Sequence, residues 1–192
     1  MIEYLIPSFL LVLFLLALSI IWRNSARKYI SSGTVASAYD AWTQDKLLER
    51  LWGEHIHLGY YPPNKKNIDF RKAKVQFVHE LVRWSGLDKL PKGSRILDVG
   101  CGIGGSTRIL AEYYGFNVTG ITISPGQVKR ARELTPNGLK CNFQVMDALD
   151  LKFDDGSFDG IWSVEAGAHM NDKKKFADEM LRTLRPGGYL AL

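Results

Sequence analysis

The ten residues Ile96-Leu97-Asp98-Val99-Gly100-Cys101-Gly102-Ile103-Gly104-Gly105 constrain this chain more than any other stretch. An apolar run meets an acid, passes through glycines on alternate positions, and opens a helical pattern at Ser106. Glycine has no Cβ, so its backbone turns tightly and lets a ligand come close. A strand, a glycine turn and a helix N-terminus together form a nucleotide-sized crevice at the carboxyl end of a parallel sheet. The fold class expected is therefore α/β, a doubly wound sheet.

Gly100-x-Gly102-x-x-Gly105 also satisfies the dinucleotide pattern, which alone is a weak signal. A dinucleotide site wants an acid about 20 residues on, at the end of the second strand. That place reads Thr119-Gly120-Ile121-Thr122-Ile123-Ser124-Pro125 and holds no acid. Asp98 and the tighter spacing Gly100-x-Gly102-x-Gly104 have no role in binding a pyrophosphate. S-adenosylmethionine has no phosphate but carries an ammonium and a sulfonium, which an acid beside a glycine turn suits. The residues favour a class I methyltransferase over a dehydrogenase.

Downstream, strand and helix patterns alternate. Ser106 to Tyr114 reads as a helix ended by Gly115, Asn117 to Ile121 as a strand. Ser124-Pro125 supplies an N-cap and a first-turn proline for a helix to about Leu134. Asn142 to Met146 is the third strand, Phe158 to Ser163 the fourth, and Asp172 to Leu184 a helix. Arg185-Pro186-Gly187-Gly188 reads as a tight turn into a strand that begins at Tyr189. Such alternation means parallel strands with right-handed crossovers. Five strands are accounted for, and an open sheet of this kind normally continues past Leu192, so a chain lacking its last strands is expected.

Upstream, Ser31 to Gln44 has the spacing of a short amphipathic helix, continued by Asp45 to Trp52. Leu51 to Pro63 is a loop dense in aromatics and imidazoles, ended by two prolines that fit no helix interior. It suits a pocket lining as well as a packed patch. Ile68 to Leu87 is a helix that covers the sheet. These divisions give an N-terminal segment over 1–30, a helical and aromatic cap over 31–90, and the core over 91–192.

The first segment differs in kind. Leu5 to Trp22 is almost wholly apolar, and a helix over about residues 4–22 spans roughly 27 Å, close to the hydrocarbon core of a bilayer. Arg23, Arg27 and Lys28 follow it, and Glu3 is the only charged side chain before it. A signal peptide carries its positive charge ahead of the apolar run instead. The expectation is a single-span membrane anchor with the following domain on the cytoplasmic side or its stromal equivalent. A net charge of +5 with no arginine-rich run interleaved with aromatics argues against a nucleic-acid partner. Two cysteines without a CxxC argue against a disulfide framework or zinc site, and no tight ligand spacing suggests a metal.

In a doubly wound sheet the ligand lies outside the carboxyl ends of the strands. Those ends and the segments after them collect Asp98, Gly100, Cys101, Gly102, Gly104, Thr122, Ile123, Gln127, Asp147 and Ala148 as cofactor-binding candidates. Asp98 would neutralise the ammonium, Thr122 would touch ribose, and Asp147 would accept from the adenine amine while Ala148 packs on the ring. Glu165 and His169, after the fourth strand, are candidate catalytic groups that orient the acceptor or take its proton.

At these residues the chain resembles the tocopherol-type branch of class I, Rossmann-like methyltransferases. The likeness rests on Ile96 to Gly105, Gly120 to Gln127, Trp162 to Met170, Leu184 to Gly188 and the upstream Trp52 to Tyr61. The resemblance implies methylation of a prenylated benzoquinol ring with S-adenosylmethionine as donor. The 2-methyl-6-phytyl-benzoquinol branch is the nearest, and γ-tocopherol or sterol acceptors are the alternative. A membrane-tethered protein that binds the cofactor without catalysis is a second alternative. A lipid-soluble acceptor would share the bilayer with the anchor, which makes the two expectations mutually supporting.

Overall fold

Ile96, Leu97 and Val99 are fully buried in strand β1 (Arg95–Val99), apolar on both faces as the centre of a parallel sheet requires. The computed structural model describes residues 14–16, 32–64 and 67–192. Strand β1 is flanked by β2 (Asn117–Thr122) and β4 (Phe158–Trp162). Outside these lie β3 (Cys141–Val145) and β5 (Leu184–Ala191), giving the order β3-β2-β1-β4-β5 with every pairing parallel. The strand order reverses between β1 and β4, the topological switch point at which such sheets bind ligands. The expected class is present, with its five strands.

Two cores cover the two faces. Ile96 and Trp162 join Val78 and Val82 of α3 (Phe70–Ser85) and Ile109 and Leu110 of α4 (Gly105–Tyr114). On the other face Leu97, Val99, Ile121 and Ile161 meet Phe176 and Met180 of α6 (Lys173–Thr183). Alternation along β1 therefore turns Asp98 to the face of Ile96, towards α4.

Capping follows the sequence closely. Ser124 accepts from the Gln127 amide and Pro125 opens α5 (Pro125–Leu134), while Gly115 ends α4 in a left-handed conformation. The helix expected over Ile68 to Leu87 is shorter. Asp69 caps it through the Arg71 and Lys72 amides and Gly86, at φ 78°, ends it.

Two expectations need correction. Asp45 to Trp52 does not continue α1 (Ser32–Gln44): Lys46 sits at φ 55°, breaking the chain into a separate short helix, α2 (Leu47–Trp52). Residues 185–188 are not a turn ahead of the last strand but an irregularity within it. Phe158 aligns with Leu184 and Gly160 with Tyr189, so β5 bulges against β4. Residues 5–22 lie outside the described residues except Phe14, Leu15 and Leu16, which are helical and exposed. Among the described residues no helix is long and apolar enough to cross a membrane.

Candidate active site

The glycine turn is tied to the end of β2, where the Ile121 carbonyl accepts from both the Gly100 and Cys101 amides at 2.9 Å. Gly100, Gly102 and Gly104 have φ of 79°, 55° and 83°, a region that side chains with a Cβ rarely adopt. Their surroundings differ. A Cβ on Gly100 would lie 2.5 Å from that of Ala166, and one on Gly104 would strike Phe143 and Arg108. A Cβ on Gly102 would meet nothing within 4 Å. Gly102 is the open rung of the turn, whereas its two neighbours are glycine because protein fills the space.

Asp98 lies beneath the turn, 2% exposed, and accepts from the Thr107 hydroxyl at 2.6 Å. Burial pushes its carboxyl up to about 7, against which the Thr107 hydrogen bond acts weakly. Cys101 is also buried; its sulfur packs towards Gly120, whose missing Cβ makes the room, and burial raises its thiol. It and Cys141 are free.

At the end of β2, Thr122 donates to the Gln127 side-chain oxygen at 2.7 Å, with both residues buried. Ile123 beside them is half-buried. The Thr122 carbonyl accepts from Met146, which brings the end of β3 alongside. Asp147 there uses Oδ1 to cap the Leu149 amide at 2.9 Å, and Ala148 is buried.

Glu165 and His169 follow β4, as expected, and both are exposed. Glu165 holds φ 56°, an uncommon conformation for a side chain with a Cβ. Its Oε1 accepts from the Leu58 amide at 3.0 Å. His169 lies in a 3-10 turn (Gly167–His169), and its Nε2 is 3.0 Å from the hydroxyl of Tyr39. Burial and then the charge of Glu165 raise the Tyr39 phenol, so the three groups share one electrostatic neighbourhood.

Tyr39 was not legible as a site residue, and neither was the set of acids that holds its segment in place. Asp40 accepts from the Ser124 hydroxyl at 2.5 Å and the Gly126 amide at 2.9 Å, at the start of α5. Glu49 takes a two-point bond from Arg130, at 2.6 and 2.8 Å. Glu54 meets the buried Arg108 at 2.5 Å, while that guanidinium also caps the Ile103 carbonyl. Nothing in the sequence marked these acids, since Glu49 and Glu54 have Lys46 and Arg50 one helical turn away and read as ordinary local pairs. Their partners are 54 to 86 residues downstream.

The aromatic loop resolves into two parts. His55 and His57 are buried, whereas Leu58, Tyr60 and Tyr61 face out. Carbonyl Glu54 and the His55 ring close over Gly105, whose Cβ would lie 2.7 Å from that oxygen. An acceptor oxygen there and a carboxyl at Asp98 would oppose a pyrophosphate at the start of α4, and suit a ligand carrying positive charge.

A methyltransferase-domain family profile matches residues 97–192. The chain is 58% identical to the 2-methyl-6-phytyl-1,4-hydroquinone methyltransferase of Synechocystis sp., over 99% of this chain and 60% of that protein. It is 42% identical to the chloroplastic tocopherol O-methyltransferase of Arabidopsis thaliana, over 76% of this chain and 45% of that one. It thus spans about half to three-fifths of the length of these relatives. The crystal structure of the [4+2]-cyclase SpnF superposes with a TM-score of 0.75 at 30% identity, covering 83% of this chain and 59% of that one. That fold hosts more than one chemistry, so the activity must be argued from the site. The glycine turn, the parallel sheet and the profile agree that this chain belongs to the methyltransferase-domain family.

Proposed function

We propose that this chain methylates a ring carbon of a prenylated benzoquinol, 2-methyl-6-phytyl- or 2-methyl-6-solanesyl-benzoquinol, in tocopherol and plastoquinone biosynthesis. The observation that carries the reading is the convergence of Gly102, Asp98, Glu165, His169 and Tyr39 at one end of the sheet. The names of the related enzymes support the acceptor class.

S-adenosylmethionine, when bound, supplies an electrophilic methyl group. The residues fit it: Asp98 offers a carboxylate to its ammonium, Gly102 leaves space against the backbone, and Asp147 with Ala148 offers an amine acceptor beside an apolar wall. Asp98 must give up its proton to serve, which the positive ligand favours. Glu165 accepts a hydrogen bond, and then a proton, from an acceptor hydroxyl. Tyr39 and His169, paired beside Glu165, orient the ring, which is most of what alignment of two reactants requires. An acid-base group in reach contributes roughly 10²–10⁴-fold.

The full-length protein, incubated with methyl-labelled S-adenosylmethionine and 2-methyl-6-phytylbenzoquinol, is expected to yield a ring-methylated product by mass spectrometry. Label appearing only on a tocopherol would move the acceptor to the second relative's class. Cofactor binding without transfer to any of these lipids would leave a non-catalytic binding protein.

The apolar segment with Arg23, Arg27 and Lys28 after it supports a single-span anchor, the catalytic domain facing the cytoplasm or stroma. Removal of residues 1–30 is expected to shift the protein from the membrane pellet to the supernatant at high carbonate. An unchanged pellet fraction would place the membrane attachment elsewhere.

A further inference from the structure

His55 and His57 are buried, and the charge of Glu165 reaches the His57 ring without outweighing the effect of burial. Their hydrogen bonds fix both tautomers. His57 Nδ1 lies 2.7 Å from the Leu58 carbonyl, which can only accept, so Nδ1 carries the proton. Burial holds both imidazoles below their usual range, His55 to about 3, so each ring is neutral at physiological pH. His57 Nε2 is then a bare lone pair, and it lies 3.1 Å from His55 Nδ1, which must donate. The Leu58 amide in turn donates to Glu165 at 3.0 Å. His55 donates to His57 and His57 to the Leu58 carbonyl, while the Leu58 amide, in the preceding peptide unit, donates to Glu165, so residue 58 is held at both its ends.

The chain is held rigid from behind. Lys74 donates to the His55 carbonyl at 2.7 Å and the Trp52 carbonyl at 3.0 Å. The Tyr60 amide bonds the Ala73 carbonyl, and the His57 ring packs on Phe77 with centroids 5.2 Å apart. Gly59 lies so close to Ala73 that a Cβ would come within 2.6 Å of it. The peptide that reaches Glu165 is thereby locked onto α3. Glu165 itself occupies a left-handed conformation, which persists only where neighbours over-determine it.

We propose that His57, backed by His55, is a positioning residue that aims Glu165 at the acceptor by fixing the backbone of residue 58 through its carbonyl, and is not itself an acid or base. With its carbonyl end fixed by His57 and the next residues fixed on α3, residue 58 has little freedom left in the direction its amide presents to Glu165. The kinetic part of this inference rests on the methyl-transfer reading of the site; the tautomers do not.

In the full chain, His57→Phe keeps the packing on Phe77 and removes both ring nitrogens. It is expected to lower kcat about tenfold, with cofactor affinity unchanged. His57→Asn, whose amide nitrogen falls where Nδ1 sits, is expected to recover most of that loss. In a Glu165→Gln background the same His57→Phe change is expected to have little further effect, since its target is already altered. An equal tenfold loss in both backgrounds, or no rescue by asparagine, overturns the proposal. Nitrogen-15 spectra of labelled histidines provide an arm independent of turnover. They are expected to show neutral, Nδ1-protonated rings for residues 55 and 57, with the His57 signals moved by Glu165→Gln. An Nε2-protonated or charged His57 overturns the proposal as well. Absence of methyl transfer by the unmutated protein would refute the function instead, and leave the spectra to decide the hydrogen-bond chain.

Discussion

Asp98→Asn is expected to stabilise the ligand-free protein at neutral pH while weakening S-adenosylmethionine binding at least a hundredfold. Asp98 is an acid whose folded carboxyl is raised to about 7 by burial, above its unfolded value of 3.8. The folded state therefore binds more protons than the unfolded state between those values, and stability falls as pH rises through that window. Above pH 7 the penalty is complete. At about 1.4 kcal/mol for each unit it amounts to a few kcal/mol. Asparagine keeps an acceptor for Thr107 and carries no charge, so it escapes the penalty. Melting curves should coincide for the two proteins near pH 4 and separate as pH rises, with the variant several degrees higher at pH 8. Ligand binding runs the other way, because the variant has no charge to offer an ammonium; a hundredfold loss is about 2.7 kcal/mol. In the unmutated protein, calorimetry near pH 6.5 in buffers of different ionisation enthalpy should register proton release on binding. Equal affinity of variant and parent would remove Asp98 from the cofactor site.

Gly100→Ala and Gly102→Ala are expected to fail for different reasons. Both put a Cβ where φ is positive, a strain of roughly 1–2 kcal/mol. At Gly100 the new carbon also lands 2.5 Å from the Ala166 Cβ. Ala166 directly follows the left-handed Glu165, so relieving this contact displaces the loop that carries the carboxylate. Overpacking of this kind costs roughly 1–3 kcal/mol, but the larger effect is geometric. Single-turnover rates are expected to fall at least a hundredfold while much of the cofactor affinity survives. At Gly102 there is nothing to strike, so the melting temperature should drop less, whereas the methyl projects into the space reserved for the ligand. Cofactor affinity is then the quantity lost. Equilibrium dialysis beside rapid-quench kinetics separates the two, and indistinguishable profiles would contradict the division of roles in this turn.

The core of this molecule was readable because its signals are local. Ser124-Pro125 caps a helix through atoms three residues away, and the apolar run of β1 announces a strand covered on both faces. The carboxyl-end rule then assembled Asp98, Thr122, Asp147 and Glu165 with no knowledge of contacts. The rule misjudges what its glycines do, since nothing in Gly100-x-Gly102-x-Gly104 tells an open rung from a packed one. That depends on Ala166, Phe143 and Arg108 arriving from elsewhere. The N-terminal segment was legible as helix and loop only. Asp40, Glu49 and Glu54 look like ordinary surface acids until the fold supplies Ser124, Arg130 and Arg108. The break at Lys46 is equally silent, because lysine carries no turn signature.

Those distant pairings carry a consequence for the way the chain acquires its structure. Asp40 waits for Ser124, 84 positions later, Leu58 for Glu165, 107 later, and Tyr39 for His169, 130 later. Contacts of such separation form only after the intervening loop has been closed by other interactions. During synthesis the segment emerges ahead of β1, its first distant partners arrive with α4 and α5, and Glu165 and His169 follow only after β4 has left the ribosome. The segment therefore settles in stages, and the end of it that meets Glu165 and His169 is completed after the end that meets α4 and α5.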